Sequence, residues 1–412
     1  MHVTIAGPVD LPLLARLLEE SAEALPSGLG GTVLASLVAE LSRSGHEVTV
    51  VTLGPGISRP VQRRIGAVDI RMGPYRSRHR AADAFRQERR AVRDLLDGLK
   101  TDVVHAHWTY EFGLGALASR HPVLVSVHDW APAILRHHRD HYRAVRLAMQ
   151  IRCLAKARHL AVVSPYIKKA LRRHGRGAAL LPNGLPTRFL ATEPGRSAGS
   201  VRRILSVNSG FSAWKNVTSL LRAFVHVRQH LPGAELVLVG SEFEPGGSAE
   251  AWARSADLAQ AVVFAGPTPL EKIIELMDTS DLFVAPTLEE SFGMTVLEAM
   301  ARGVPVVGGH ASGAVPWLLD FGRAGELTDV RRPERIADAV VILAGDPRRR
   351  ARLRLAGLER ARSFGWSSLV PWYEEQYRRV ARDRHVNVLG PSARQAPAVP
   401  AVSPPASPNS NA

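Results

Sequence analysis

The sequence predicts an α/β protein with two doubly wound domains that face each other across a cleft. Strand-sized apolar runs alternate with helical stretches from residue 2 to residue 181, a pattern typical of parallel sheets covered by helices. The alternation stops at the Glu/Pro/Gly/Ser-rich stretch 193–200 and restarts at residue 203. A chain of 412 residues also exceeds the length that one ordinary core accommodates. Two similar halves joined by one linker imply a cleft between them.

The first predicted domain covers residues 1–196. Its strands are expected at residues 2–6, 47–52, 102–105, 123–127, 159–163 and 179–181. Its helices are expected at residues 32–44, 81–99 and 114–119, within 134–156, and at 167–174. The interval 8–26 is longer than a strand-to-helix turn requires, which predicts an added helix or lid.

The second predicted domain covers residues 200–365. Its strands are expected at residues 203–207, 235–239, 261–264, 281–285 and 304–307. Its helices are expected at residues 216–230, 269–279, 294–302 and 333–344, and a last helix at 367–384. The Ala/Pro/Ser-rich tail 388–412 is predicted to be disordered.

The composition is that of a globular protein, with 45% hydrophobic and 22% charged residues. The longest apolar runs, such as 236–239, are far shorter than the ~20 residues of a membrane-spanning helix. Residues 1–7 read as a first strand and not as a signal peptide. Cys153 is the single cysteine, so an internal disulfide is excluded. These features predict a cytoplasmic protein.

The charge is strongly basic, with 53 Lys and Arg against 38 Asp and Glu and a formal net charge of +15. Basic stretches lie at residues 76–80, 86–93, 136–146 and 348–354. Such a charge favours phosphate-bearing partners, which include nucleotides and the anionic inner face of a membrane. Solvated helix faces are the simpler explanation of the same stretches, because blocks of this kind usually mark solvent exposure. Nucleic acid is not an expected partner, because no pattern of base-stacking aromatic residues accompanies the charge.

The segment 286–307 carries the strongest chemical signal. It runs from a strand end through a polar loop into a helix, with Glu290 in the loop and Glu298 about two helical turns in. Glu298 stands in an apolar helix, where an idle carboxylate would be costly, and carboxylates accept hydrogen bonds from sugar hydroxyls. Free backbone N–H groups at the helix start favour phosphate or sugar oxygens, and Gly293 permits close approach. The residues around that start are Ser291, Phe292, Gly293, Met294 and Thr295.

This segment resembles the signature of retaining GT-B glycosyltransferases of family 4, which has two glutamates eight positions apart. The resemblance implies that Glu290 contacts hydroxyls of the donor sugar and that Glu298 contacts the ribose. The amides of residues 292–295 would bind sugar and phosphate oxygens. Ser291 stands where Gly is commonest in the family, and Thr295 where Pro is frequent. The resemblance covers nearly all of residues 1–384, and it implies that the last helix packs back on the first domain.

Lys215 and Asn216 lie where a helix is predicted to begin. A lysine there is unfavourable for the helix dipole but suits a bound diphosphate, and the resemblance implies that role for Lys215 and places Asn216 in the donor site. The family usually has an arginine five positions before the lysine, where this chain has Gly210. The loop at 262–266 resembles the one whose backbone contacts the base, which adds Phe264 to the expected donor site.

Gly30 and Gly31 open the helix predicted at 32–44, after Ser27 and Gly28. This cluster is similar to the family's glycine loop facing the diphosphate and acceptor, although a generic strand-to-helix turn has the same composition. His128 follows a strand and resembles the family histidine beside the transferred sugar. A buried structural histidine is the alternative. His105, His107 and Trp108 follow another strand and are expected on the acceptor side.

The family implies a hexosyl transfer from a nucleotide diphosphate sugar with retained configuration. The catalytic residues would be His128, Lys215 and Glu290, the donor would be held mainly by the second domain, and the acceptor would be a glycan, a lipid-linked sugar or a small molecule, as in polysaccharide biosynthesis. The chain contains no Asp-x-Asp motif, and neither a metal nor another cofactor is expected. A sugar-nucleotide epimerase or hydrolase of the same fold is one alternative. A non-catalytic scaffold that binds phosphate or membrane is another.

Overall fold

A computed structural model describes residues 1–22, 26, 28–190 and 199–389. The described residues form two sheets, each flanked by helices. Most of the predicted linker at 193–200 lies outside the described residues, and so does the predicted tail at 388–412 except for its first two positions. Those two positions continue the last helix, which ends five residues later than the sequence predicted. Among the described residues, no helix combines the length and apolarity needed to cross a bilayer.

The first sheet has eight strands in the order β3-β4-β2-β1-β5-β6-β7-β8. Neighbouring strands are parallel, except that β3 is antiparallel to β4. The strands are β1 His2–Ala6, β2 Glu47–Gly54, β3 Val61–Ile65, β4 Val68–Pro74, β5 Val103–His107, β6 Val123–Val127, β7 His159–Val162 and β8 Ala179–Leu180. Its helices are α1 Leu11–Leu17, α2 Thr32–Arg43, α3 Arg86–Asp97, α4 Glu111–Ala116, α5 Ala131–His137, α6 His141–Lys156, α7 Pro165–Ala170 and α8 Thr187–Leu190, with 3-10 turns Arg80–Asp83 and Arg172–Gly175.

The second sheet has six parallel strands in the order β11-β10-β9-β12-β13-β14. The strands are β9 Arg203–Val207, β10 Glu235–Val239, β11 Val262–Gly266, β12 Leu282–Ala285, β13 Val306–Gly309 and β14 Glu326–Thr328. Its helices are α9 Val217–His230, α10 Ser248–Ser255, α11 Leu270–Asp278, α12 Met294–Ala301, α13 Val315–Leu318, α14 Pro333–Gly345 and α15 Pro347–Arg362, with a 3-10 turn Asp320–Gly322. Strand order reverses direction beside β9, which is where ligands bind in sheets of this kind.

The last helix, α16 Trp366–Leu389, returns to the first sheet. Leu369, Tyr373 and Tyr377 are buried in one apolar cluster with residues of β1 such as Ile5. Tyr377 also shares a hydrogen bond of 2.9 Å with Nδ1 of His105 on β5. The C-terminal end of the chain therefore completes the core of the N-terminal half.

Several of the elements that the sequence analysis missed lack a clear apolar period. Strand β3 lies at the edge of its sheet with three consecutive exposed residues, so its sequence shows no alternation. Helix α15 is rich in arginine and was treated only as a basic stretch. The helical region expected within 134–156 is two helices, because the Asp140 side chain accepts from the Arg143 amide and starts α6 anew. Strands β4 and β14 and helices α10 and α13 were also not predicted.

Candidate active site

The loop between β12 and α12 opens the helix on a left-handed glycine. Gly293 has φ 99° and ψ 59° and precedes Met294, the first residue of α12. A Cβ at Gly293 would lie 3.2 Å from a methyl of Leu318, and a side chain would also be strained at this φ. The turn aims the first backbone N–H groups of α12, including those of Met294 and Thr295, away from the helix. This end of the helix is therefore suited to oxygen atoms of a ligand.

Glu290 pairs with Lys215 across this loop. Lys215 Nζ lies 2.7 Å from Glu290 Oε1, and both side chains are about three-quarters buried. The loop before Lys215 is attached to the same segment, since Trp214 Nε1 donates to the Glu289 carbonyl and the Leu288 amide donates to the Trp214 carbonyl. The fold thus brings together two residues that stand 75 positions apart and that the sequence analysis assigned to one donor site.

A second turn holds the backbone of Glu290 in place. The Glu290 carbonyl accepts from the Ala314 amide at 2.8 Å, and Gly313 pairs with Glu290 at φ +62°. A Cβ at Gly313 would lie 2.2 Å from the Glu290 carbonyl oxygen, so only glycine fits this contact. The Ser312 hydroxyl donates to the Thr287 carbonyl at 2.6 Å. The Glu290 carboxylate is therefore presented from a rigid segment.

Asn216 holds the turn together, and its side-chain amide is not free for a ligand. Its Nδ2 donates to the carbonyls of Pro286 and Val330 at 2.9 and 2.7 Å, and its Oδ1 accepts from the Ser219 hydroxyl. Asn216 itself adopts φ 55° and immediately precedes α9. The hydrogen bonds of the Asn216 side chain thus fix the start of α9 beside Lys215, and its expected contact with the donor stays a prediction.

Gly210, at the position of the family arginine, lies against an acidic side chain. Its φ is +88°, and a Cβ there would lie 2.9 Å from Glu242 Oε2. The same carboxylate oxygen accepts from the Phe211 amide at 2.8 Å. A larger residue would strain this turn and displace Glu242, so the structure has a reason for glycine at this position.

Glu298 lies on α12 near Arg188, which belongs to the first domain. It is partly buried, and burial raises its pKa to about 7, while the neighbouring charge of Arg188 opposes that rise. Arg188 belongs to α8, and its Nη1 lies 3.4 Å from Glu271 Oε1. Its Nε and Nη2 are buried without a hydrogen-bond partner in the described part of the chain. Arg188 was not singled out from the sequence, where an arginine after the β8 loop gives no chemical signal.

The first domain contains a turn like the one at Gly293. Gly31 has φ 96° and ψ 60° and precedes α2, and a Cβ there would lie 2.0 Å from the Pro8 carbonyl oxygen. Gly30 also has positive φ, at 76°, with open space around it. The glycine cluster therefore starts a helix, as the sequence predicted. Of the residues named for this cluster, Ser27 lies outside the described residues.

His128 lies in a row of histidines at the ends of β5 and β6. Its Nε2 shares a hydrogen bond of 2.8 Å with His107 Nδ1, and its ring stacks on Trp108 with centroids 4.2 Å apart. Burial lowers the pKa of His128 to about 3, so the ring is neutral at physiological pH. His105, behind this pair, is fully buried between Tyr377 and Ser126. Of the three histidines, His105 is structural and His128 is the partly exposed one.

A cavity of about 280 Å³ adjoins the strand ends that carry these histidines. It is lined by Tyr110, Ala131, Ile134, Tyr142, Arg143 and Arg146. Arg146 lies 3.6 Å above the Tyr110 ring, and its Nη2 is 3.9 Å from Asp129 Oδ2. The Tyr110 hydroxyl donates to Asp129 Oδ1 at 2.7 Å. The cavity is therefore lined by two tyrosines and by Arg146, which has Asp129 as its carboxylate partner.

Phe264 lies on β11, the edge strand of the second sheet. Its side chain is 7% exposed and packs in an apolar cluster with Leu238 and Phe243. Any contact of Phe264 with a ligand would come from its backbone.

Contacts across the cleft converge on the loop that contains Glu290. The Ser164 hydroxyl donates to the Ser291 carbonyl at 2.6 Å, and the Tyr166 hydroxyl donates to the Glu289 carboxylate. The His137 ring lies 5.0 Å from the Trp214 ring, centroid to centroid. No sequence motif predicted the roles of Ser164, Tyr166 and His137, because the partner of each lies in the other domain.

The structure offers no preformed metal centre in its described residues. His137 and His141 stand four positions apart, a spacing that can bind metal within one helix. Here His137 ends α5 and His141 begins α6. No group of three His, Cys, Asp or Glu side chains in the described residues has a geometry that could hold a metal ion.

Comparison with known proteins gives two adjoining family matches. Residues 30–189 match the model described as Glycosyltransferase Family 4, and residues 202–346 match the model described as Glycosyl transferases group 1. A D-inositol 3-phosphate glycosyltransferase of Corynebacterium diphtheriae is 24% identical over 376 residues, which is 83% of this chain and 87% of that protein. A homologous protein of the same description from Acidothermus cellulolyticus is 35% identical over 134 residues, about a third of each chain.

Solved structures share the whole architecture at low sequence identity. A sucrose-phosphate synthase from Thermosynechococcus elongatus superposes with a TM-score of 0.73 at 19% identity, over 93% of this chain and all of that one. An E. coli structure described as trehalose-6-phosphate bound with UDP-2-fluoro glucose superposes with a TM-score of 0.68 at 11% identity, over 93% of this chain and 99% of that one. At these identities the likeness establishes the fold, which is GT-B.

Proposed function

This chain is a GT-B glycosyltransferase in which a family 4 domain precedes a group 1 domain, and on that premise we propose that it transfers a hexose from a nucleotide diphosphate sugar with retention of configuration. The observation that carries the proposal is the Lys215–Glu290 pair of 2.7 Å beside the Gly293 turn. The Lys215 ammonium group, the Glu290 carboxylate, which can accept hydrogen bonds from hydroxyls, and the N-terminus of α12 lie close together in two hydrogen-bonded loops. Together they match the phosphate and sugar ends of such a donor.

In the proposed donor complex, Glu290 accepts hydrogen bonds from sugar hydroxyls and Lys215 turns toward the diphosphate. Amides of residues 292–295 donate to sugar and phosphate oxygens, and Gly30 and Gly31 bring the α2 start close to the diphosphate from the other domain. Glu298 accepts from ribose hydroxyls. These positions are supported by the partial burial of both carboxylates and by the two left-handed glycines.

The proposed reaction forms the new bond on the face from which the diphosphate leaves. The bond between C1 and the diphosphate oxygen breaks with its electron pair on the diphosphate, and an acceptor hydroxyl oxygen bonds to C1. The acceptor proton passes to the departing diphosphate. Lys215 and the helix starts stabilise the charge that grows there, which is electrostatic catalysis. His128, whose low pKa makes its ring a weak base, donates or accepts a hydrogen bond at the transferred sugar and does not act as a general base.

The acceptor is proposed to lie on the first domain beside His128, in the cavity lined by Tyr110, Tyr142 and Arg146. The partly exposed Tyr142 ring can pack against a sugar face, and Arg146, which covers the buried Tyr110 ring, donates hydrogen bonds. A glycan, a lipid-linked sugar or a small molecule meets this chemistry, as in polysaccharide biosynthesis. We further propose a cytoplasmic location, with the +15 charge favouring contact with an anionic membrane surface, and a reaction that requires no metal ion.

The donor is tested by a thermal-shift screen of nucleotide diphosphate sugars. A true donor raises the melting temperature by an amount that grows with the logarithm of its concentration over its Kd, and its sugar-free nucleoside raises it less. The positive donor is then incubated with candidate acceptors, and the anomeric configuration of the product is read by NMR. Product with inverted configuration, or release of free sugar at the same rate with and without acceptor, would contradict the proposal. Unchanged turnover in EDTA is expected.

A further inference from the structure

Arg188 reaches across the domain boundary next to the proposed donor site. It lies on α8 of the first domain, which packs against α12 of the second. The contact is secured by Arg302, whose Nη1 donates to the Phe189 carbonyl at 3.4 Å. Because α12 begins at the Gly293 turn, Arg188 sits over the helix that is proposed to bind the nucleotide.

The Arg188 guanidinium is only weakly satisfied by the protein. Its Nε and Nη2 are buried and have no hydrogen-bond partner in the described part of the chain. Its one ion pair is a 3.4 Å contact with Glu271, whose side chain is 70% exposed, and such pairs contribute little. Burial also lowers the pKa of Arg188. Leaving charged donors unpaired in this way is costly, and a ligand with matching acceptors would remove the cost.

The charged side chains near Arg188 leave its positive charge incompletely balanced, which favours an added anion. Glu298 and Arg16 both interact with it electrostatically, one favourably and one unfavourably. No close ion pair with Glu298 forms among the described residues, although Glu298 carries the nearest carboxylate on α12. An oxygen-rich anion placed between Arg188 and Arg16 would relieve their repulsion and accept from the free N–H groups.

The rest of the donor site is short of positive charge. Lys215 is the cation that contacts the loop before Gly293, and the carboxylate of Glu290 already pairs with it. The turn at Gly210 presents the carboxylate of Glu242 instead of a cation. A nucleotide diphosphate carries more negative charge than one compensated lysine can balance, so a second cation is needed.

We propose that Arg188, whose side chain is 26% exposed, supplies this second cation and turns its guanidinium to donate to oxygens of the phosphate next to the ribose. The inference rests on the proposed function, because it assumes a nucleotide diphosphate on α12. It adds that the first domain, and not only the second, holds the donor's phosphate. Donor binding then adds a phosphate-mediated link to the existing contact between α8 and α12.

The test is calorimetric titration of the full chain with uridine, adenosine and guanosine, each as nucleoside, monophosphate and diphosphate. For the base that binds, Arg188→Gln is expected to weaken the diphosphate and the monophosphate at least tenfold and to leave the nucleoside within twofold. Arg188→Lys keeps the charge without the planar fork and is expected to fall between. It also keeps the inference testable if Arg188→Gln fails to fold.

Arg302→Lys is the matched control. Arg302 belongs to the same α8–α12 contact, but its guanidinium is saturated by two 2.7 Å bonds to Asp278 and by the Phe189 carbonyl. It is expected to lower the melting temperature without any preference for phosphate. Wild-type protein that binds none of the diphosphates would overturn the proposed function and this inference together. Wild-type binding that Arg188→Gln leaves unchanged, or weakens equally for nucleoside and diphosphate, would overturn the inference alone.

Discussion

The two helix starts that face the cleft are nearly identical in backbone and opposite in surroundings. Gly31 before α2 and Gly293 before α12 differ by 3° in φ and 1° in ψ. The α12 start is accompanied by charged groups, the Lys215–Glu290 pair and Glu298. The α2 start lies against the loop after β1, where Gly7 adjoins the neutral His107. The same backbone conformation is thus accompanied by charged side chains in one domain and by a neutral histidine in the other.

The largest expected effect is on the charged side. Glu290→Gln and Lys215→Ala are each expected to lower kcat/KM about 100-fold or more, because each removes a contact to the reacting end of the donor. The double variant is expected to lose little more than either single one, since the two side chains act as a pair. Steady-state kinetics with the donor from the thermal-shift screen measures these losses.

Lys272→Ala is the control for that experiment, because Lys272 forms a 2.6 Å pair with Glu275 on the exposed face of α11. Near-normal kcat/KM is expected there. If Lys215→Ala and Lys272→Ala had similar activity in folded protein, the two sides of the cleft would not differ in the way described.

Replacing the glycine at each helix start is expected to lower the free energy of unfolding by different amounts. Gly31→Ala is expected to cost about 3 kcal/mol, from left-handed strain and from the overlap with the Pro8 carbonyl. Gly293→Ala meets only a 3.2 Å methyl contact and is expected to cost about 1–2 kcal/mol. Urea denaturation measures both, with Gly233→Ala, which has open space around it, as the control. Equal losses would show that the two turns do not differ in tightness.

The titration of Glu298 provides a third test, on the stability of the unliganded protein. Its pKa is about 7 in the folded state and about 4.5 ordinarily, so the folded state binds more protons between those values. The free energy of unfolding therefore falls as pH rises through that window. Glu298→Gln removes this fall and is expected to be more stable than wild type at pH 8, on the order of 2 kcal/mol, and equal to it below pH 4.5. A constant difference at every pH would contradict this assignment.

The smallest expected effect is on the neutral side. His128 has a pKa of about 3, so the pH profile of kcat/KM between pH 5 and 8 should contain no histidine limb. An inflection near pH 7 is expected from Glu298 and should be absent in Glu298→Gln. If a limb near pH 6.5 persisted in Glu298→Gln and disappeared in His128→Asn, His128 would titrate during turnover and the neutral assignment would be wrong.

A structural feature could be predicted from the sequence when the residues that cause it are close together along the chain. Strands β1, β6, β9 and β10 were placed to the residue, because buried parallel strands are continuous apolar runs bounded by polar residues. The edge strand β3 was missed, since exposed arginines conceal its period. At the site, the residues of the 290–298 run were found because a helix start and two glutamates are close in sequence. Ser164, Tyr166 and Arg188 were not, since their partners lie more than 80 residues away.

The sequence alone determined the fold class, the two halves and the loop that is proposed to hold the donor, because short-range periods and turn residues encode them. The tertiary structure decided which groups meet: Lys215 with Glu290, Gly313 with the Glu290 backbone, and Asn216 with two carbonyls. It also decided the chemical state of Glu298 and His128, whose pKa values depend on burial. Burial and long-range pairing are properties of the assembled chain, and no local pattern carries them.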